Sequence, residues 1–205
     1  DEDRTTKLNM QDTEEEGDEC PICLENLPKD VTQFTRMTCC GNGIHKFCFK
    51  DMVSMKMAGT CPLCRAKTPT SEEETIQQLR PWVKKKKAWA QCHMAQKYFH
   101  GRGVQQSYVM ARRLYELAAQ QGNTYALNGL GIMHIHGEGV EVSYEKAFEY
   151  YERAAHLGDA QSQFNLGGMY LQGQGVERDA KKAKEWIAKS ASQGNEDAVR
   201  ALQFL

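Results

Sequence analysis

No apolar run in this chain of 205 residues approaches the ~18 residues that a membrane-spanning helix needs. The first twenty residues also lack the apolar core of a secretory signal. Nor is charge of one sign in excess. With 26 Lys and Arg against 27 Asp and Glu, the net charge is -1, so bulk charge argues for neither a nucleic-acid partner nor a membrane surface. Cysteine is nearly missing from the last two thirds, where Cys92 stands alone. At 40% hydrophobic and 26% charged residues, the composition is that of a globular chain with room for one or two domains. These absences favour a reducing compartment, cytoplasmic or nuclear. A start at Asp1 rather than at Met reads as a processed product or a fragment.

What cysteine there is lies crowded at the front. Seven of the eight, Cys20, Cys23, Cys39, Cys40, Cys48, Cys61 and Cys64, precede residue 65, and two pairs have the C-x-x-C spacing, "CPIC" and "CPLC". Such a knuckle turns two thiolates toward one ion, and tetrahedral zinc takes four sulfur or imidazole ligands. Adding His45 gives eight ligands, enough for two closed sites. A disulfide framework would leave one thiol over, ignore His45 and suit a different compartment.

The ligand order is Cys, Cys, fifteen residues, Cys, Cys, four residues, His, two residues, Cys, twelve residues, Cys, Cys. This order resembles the RING finger family over residues 18–68. The resemblance implies a cross-brace, with Cys20, Cys23, His45 and Cys48 holding one structural zinc ion and Cys39, Cys40, Cys61 and Cys64 the other. Family members usually separate the third and fourth ligands, whereas Cys39 and Cys40 are adjacent, so one of the two could be a bystander. Dropping either leaves seven ligands with no nearby replacement, and both are therefore expected to ligate. "GNG" at 41–43 supplies backbone freedom for the turn between ligands of different ions.

Resemblance to ubiquitin-ligase RINGs implies more than a folded zinc module. Ile22, Met52 and Pro62 occupy the positions of the apolar patch that docks a ubiquitin-conjugating enzyme, and Arg65 that of the cation bridging this enzyme and its attached ubiquitin. The implied function is an E3 ubiquitin ligase that forms no covalent intermediate. A non-catalytic zinc-finger adaptor is the alternative. PHD-type histone readers share the ligand order, but their usual Trp position before the final cysteine pair is Gly59. The aromatic residues for a methyl-lysine cage are also limited to Phe34, Phe47 and Phe49.

Around the finger, residues 1–17 form an acidic lead-in of disordered composition, and residues 69–87 a helical linker with a basic run. Ser71 with Glu74 three residues on makes a capping box, opening a short helix expected to end near the Arg80–Pro81 bond. The acidic residues after Ser71 also suit an acid-directed kinase, although the helix cap accounts for them. "KKKK" at 84–87 reads as the solvated face of a helix, with Trp82 and Trp89, seven apart, on its other side.

From Ala88 the chain repeats. "HGRGV", "HGEGV" and "QGQGV" begin at 100, 136 and 172, and "QGN", "LGD" and "QGN" end at 123, 159 and 195, all at a spacing of 36 residues. A period of this length predicts helix pairs stacked in a solenoid, and the motifs resemble the Sel-one-like repeats, relatives of the tetratricopeptide repeat. Repeats are expected over 88–123, 124–159 and 160–195, with 196–205 a partial repeat or cap. Ser107, Ser143 and Asp179 suit the N-caps of the second helices. Gly122, Gly158 and Gly194 suit their C-terminal stops, with Asn123, Asp159 and Asn195 capping the helices that follow. Ala111, Ala147 and Ala183, and Ala119, Ala155 and Ala191, allow close helix approach, and Met94, Leu130, Leu166 and Leu202 share a core register. Cys92 falls in a core register with Asn128 and Phe164, which predicts a packed thiol rather than a nucleophile. His134 and His136 straddle a repeated helix end and make a poor metal pair.

The expected architecture is thus a small zinc-stabilised RING domain followed by an all-α helical-repeat solenoid. Its expected partners are a charged ubiquitin-conjugating enzyme on the finger and a protein substrate on the repeats.

Overall fold

The computed structural model describes residues 34–37, 39–41, 43–45, 61, 64 and 66–205. The acidic lead-in lies outside the described residues. In the finger, strands β1 (Phe34–Arg36) and β2 (Gly43–His45) pair antiparallel, with Phe34 opposite His45 and Arg36 opposite Gly43. The chain reverses between them on a turn closed by the Gly41 N–H donating to Met37 O at 2.8 Å. Gly41 has φ 76°, which a side chain would strain. Ile44 is fully buried.

Eight helices follow among the described residues: α1 (Glu72–Lys84), α2 (Ala88–His100), α3 (Tyr108–Ala119), α4 (Thr124–His136), α5 (Tyr144–His156), α6 (Ala160–Gln172), α7 (Ala180–Ser192) and α8 (Glu196–Leu202). Their ends are set by the expected chemistry. Ser107, Ser143 and Asp179 accept hydrogen bonds from N–H groups in the first turns of α3, α5 and α7. Asn123, Asp159 and Asn195 do the same for α4, α6 and α8, satisfying donors that a helix start leaves open. Gly122, Gly158 and Gly194 follow the second helices in the left-handed conformation.

Packing is close where the repeat places glycine against a bulky partner. A Cβ on Gly131 would come 2.5 Å from the Tyr151 ring, and one on Gly167 would come 2.5 Å from Ile187. These pairs draw α4 onto α5 and α6 onto α7. Leu127, Leu130, Met133, Leu166 and Ile187 are fully buried, each contributing about 1.5–3 kcal/mol of burial. The polar groups inside find partners: Asn128 Nδ2 donates to Ser162 Oγ at 2.9 Å, and Gln163 Nε2 to Ala155 O at 3.1 Å.

Two expectations require correction. The helix that opens at Ser71 does not stop at the Arg80–Pro81 bond but runs through Pro81 to Lys84. Pro81 gives up one backbone donor, and packing of the last turn offsets the loss. Trp82 and Val83 pack on the core that holds Ile76 and Leu79, and the Trp82 and Trp89 rings meet with centroids 5.8 Å apart. The lysine run is solvated as expected, but it does not line one helix face. Lys84 ends α1, Lys85 and Lys86 turn, and Lys87 precedes α2, so the two tryptophans approach from different helices.

Helix α1 is no mere linker. Its cap Ser71 lies 36 residues before Ser107, and Lys86 and Lys87 lie 36 before Gly122 and Asn123. The same bonds close the turns: Lys86 N–H donates to Val83 O and Lys87 N–H to Trp82 O, as Gly122 N–H does to Ala119 O and Asn123 N–H to Ala118 O. Lys86 even adopts the left-handed conformation of those glycines, at φ 56°. Helix α1 is therefore the second helix of a half-repeat that begins the solenoid.

Candidate metal centre

Adjacent cysteines on a tight turn can project two thiols toward one point only if the turn is held. Cys39 and Cys40 lie in the turn that the Gly41 to Met37 bond closes, just after β1. Cys61 and Cys64 come from the C-terminal knuckle, where the Cys61 N–H donates to Ala66 O at 2.6 Å. The four Sγ atoms all lie within 4.8 Å of one another. Zinc with Zn–S bonds of about 2.3 Å sets the edge of a thiolate tetrahedron at ~3.8 Å, so small side-chain rotations would close this cluster on one ion. Cys61 is fully buried and Cys64 exposed. An all-thiolate set of four has no open position and suits a structural ion, whose chemistry is to hold the fold rather than to act on a substrate.

The remaining expected site residues are not brought together among the described residues. His45 ends β2, and its side chain lies outside what is described. Cys20, Cys23 and Cys48, the docking residues Ile22, Met52 and Pro62, and Arg65 all lie outside the described residues.

On the solenoid, Cys92 is buried and desolvation pushes its thiol up to about 12, which suits a packed core residue and no nucleophile. His134 is also a packing group: Nδ1 lies 3.2 Å from Glu141 O and the ring stacks on Tyr150. Beside it opens a pocket of about 430 Å³, lined in part by Arg112, Ser143, Glu145 and Lys146. The pocket mixes charges of both signs, and sequence reasoning did not find it because its residues come from three separate elements.

A family model for the Sel1 repeat matches residues 90–123, 124–159 and 160–195, and one for the Ring finger domain matches residues 18–65. The chain is similar to a solved Sel1 repeat protein from Oxalobacter formigenes, at 37% identity and a TM-score of 0.59, over 63% of this chain and 98% of that one. It is also similar to a protective antigen of uropathogenic Escherichia coli described as displaying an SLR fold, at 34% identity and a TM-score of 0.62 over 68% of this chain. The chain spans 29% of that antigen's length. Cysteine rich protein B of Helicobacter pylori, 22% identical over 62% of this chain and 96% of its own, has a TM-score of 0.51 and shares the fold. No curated protein matches the chain. No helix among the described residues is long and apolar enough to cross a membrane. Three consecutive repeat matches and the similarity to solved repeat proteins place the solenoid, and the ligand order with its gathered thiols the finger: the chain belongs to the Sel1-repeat family and carries a Ring finger domain ahead of its repeats.

Proposed function

We propose that the chain is a RING-type E3 ubiquitin ligase of the cytoplasm or nucleus. Its finger binds two structural zinc ions and a ubiquitin-conjugating enzyme charged with ubiquitin, and its helical repeats recruit the protein to be modified. The observation that carries this reading is the match of residues 18–65 to the Ring finger domain. The convergence of Cys39, Cys40, Cys61 and Cys64, the quartet that a cross-brace assigns to one ion, supports it. The finger supplies no nucleophile. Ile22, Met52 and Pro62 form the docking patch, and Arg65 bridges the conjugating enzyme and its ubiquitin, its guanidinium offering several donors at once. Rate is gained by restricting a flexible ubiquitin to a reactive orientation.

The repeats support the second half of the reading, because stacked helix pairs present an extended surface that serves recognition. Autoubiquitination with a panel of conjugating enzymes tests the proposal. Activity that depends on zinc and is weakened by Ile22→Ala through loss of enzyme binding is expected. A zinc-loaded chain that binds no conjugating enzyme and yields no conjugates with any of them would make the finger an adaptor module instead.

A further inference from the structure

Residues 66–70 lead from the last cysteine knuckle into α1, and they are fastened to that helix. Glu74 uses both carboxylate oxygens for this. Its Oε2 accepts from the Thr70 N–H at 2.7 Å and from the Thr70 hydroxyl at 3.0 Å, and its Oε1 lies 3.8 Å from Lys67 Nζ. The bonds from Thr70, with the Lys67 charge behind them, hold the Glu74 carboxyl below the usual range. One turn further along, Gln78 Nε2 donates to Lys67 O at 3.2 Å. At the start of the segment, Cys61 N–H donates to Ala66 O. A short relay of hydrogen bonds therefore connects the knuckle of Cys61 and Cys64 to α1, whose Ile76 and Leu79 are buried in the first core of the solenoid.

The repeat register shows that α1 differs from its counterparts at this face. Gln78 stands where the complete repeats carry Leu114, Tyr150 and Trp186. Each of those three belongs to a hydrophobic cluster or packs against one. In the half-repeat a hydrogen-bonding side chain has taken the place of a packing one, and it reaches the segment that follows the knuckle.

We infer that Glu74 and Gln78 are positioning residues that couple metal binding at Cys39, Cys40, Cys61 and Cys64 to the closure of the solenoid by α1. Loss of metal there loosens α1, and a loosened α1 weakens the hold on the metal, because a coupling between two sites acts equally in both directions. The inference rests on the zinc reading of the quartet and is independent of ligase activity.

Hydrogen exchange of the whole chain, zinc-loaded and chelator-stripped, tests it. Amides of residues 75–80 and 82–84 should exchange about tenfold faster after stripping, within the usual range of allosteric coupling, while those of residues 124–136 stay unchanged. The reciprocal arm uses Leu79→Ala, whose side chain is fully buried in the helical core and is not part of the bonds made by Glu74 and Gln78. In competition with a colorimetric chelator this variant should hold zinc about fivefold less tightly. In a Glu74→Ala, Gln78→Ala background, Leu79→Ala should leave the competition curve where it was. Unchanged exchange over 75–80 and 82–84 on stripping, or an unmoved competition curve for Leu79→Ala alone, would overturn the coupling. A purified chain that contains no zinc would instead remove the metal reading on which it rests.

Discussion

Gly103 faces the first turn of α1 so closely that a Cβ built on it would lie 2.8 Å from the Cβ of Glu72 and 2.9 Å from its carbonyl carbon. One repeat on, Gly139 meets Tyr108 at the corresponding place, and Gly175 then meets Tyr144. Glu72, Tyr108 and Tyr144 are each the first residue of a second helix, so α1 sits on the turn of repeat 1 as α3 and α5 sit on the next two. Lys97, nearly buried, is hydrogen-bonded to the Glu72 carboxylate across the same contact and draws its pKa down.

Substituting that glycine should therefore cost more than its conformation alone. Gly103 and Gly122 both have positive φ, at 71° and 78°, but a Cβ on Gly122 meets nothing within 4 Å. Gly122→Ala should lose about 1 kcal/mol to backbone strain. Gly103→Ala should lose a further ~1–3 kcal/mol, because the overlapping atoms include backbone that no rotamer change can move. Urea unfolding followed by circular dichroism measures both. Equal losses would mean that α1 does not bear on Gly103.

Lys86 offers the opposite sign. Among the described residues it is the one position other than glycine with positive φ, and it occupies the register of Gly122, Gly158 and Gly194. Lys86→Gly should raise stability by about 0.5–1 kcal/mol, the left-handed strain relieved less the entropy gained by the unfolded chain. A higher midpoint with an unchanged urea slope is the expected result. A drop would show that the Lys86 side chain stabilises the turn.

Burial of Cys92 predicts chemical silence. With its thiol pushed up to about 12, almost none is thiolate at pH 8. A fragment of residues 70–205 holds every residue of both helical cores and one cysteine. Its thiol should react with a disulfide reagent on unfolding and not before. Rapid reaction in the native fragment would require α2 to open locally.

The adjacent pair makes a sharp prediction for metal. Sγ atoms of Cys39 and Cys40 both lie within 4.8 Å of those of Cys61 and Cys64. Cys39→Ser and Cys40→Ser should each reduce zinc from two equivalents toward one in elemental analysis of the purified chain. A single variant that keeps both ions would identify its residue as the bystander.

Much of the solenoid could be read directly because each repeated position has one physical task. Capping needs Ser, Asp or Asn, and left-handed stops need Gly, so both recur at a spacing of 36. Helix α1 escaped that reading although Ser71 has the same spacing to Ser107. Pro81 stands in the register of Leu117, and Lys86 in that of Gly122, so the two residues that most clearly signal a helix and its stop are replaced. Tertiary packing of Trp82 and Val83 overrides the first, and the turn's hydrogen bonds hold the second. For the metal centre, the order of eight ligands could be read but not which thiols converge. Adjacent cysteines have no fixed projection until a turn such as that of Gly41 is formed.

The most direct measurement for the central claim is the rate at which the zinc-loaded chain discharges ubiquitin from a charged conjugating enzyme onto free lysine, for wild type and Arg65→Ala. Arg65 ligates no metal in the proposed brace, so the variant should keep two equivalents of zinc. Binding to the uncharged enzyme should survive through Ile22, Met52 and Pro62. Wild type should accelerate discharge, and Arg65→Ala should lose most of that acceleration, because only the charged complex uses the bridge. Discharge by Arg65→Ala as fast as by wild type would contradict the bridging role, and a wild-type chain that accelerates discharge from no conjugating enzyme would contradict the ligase itself.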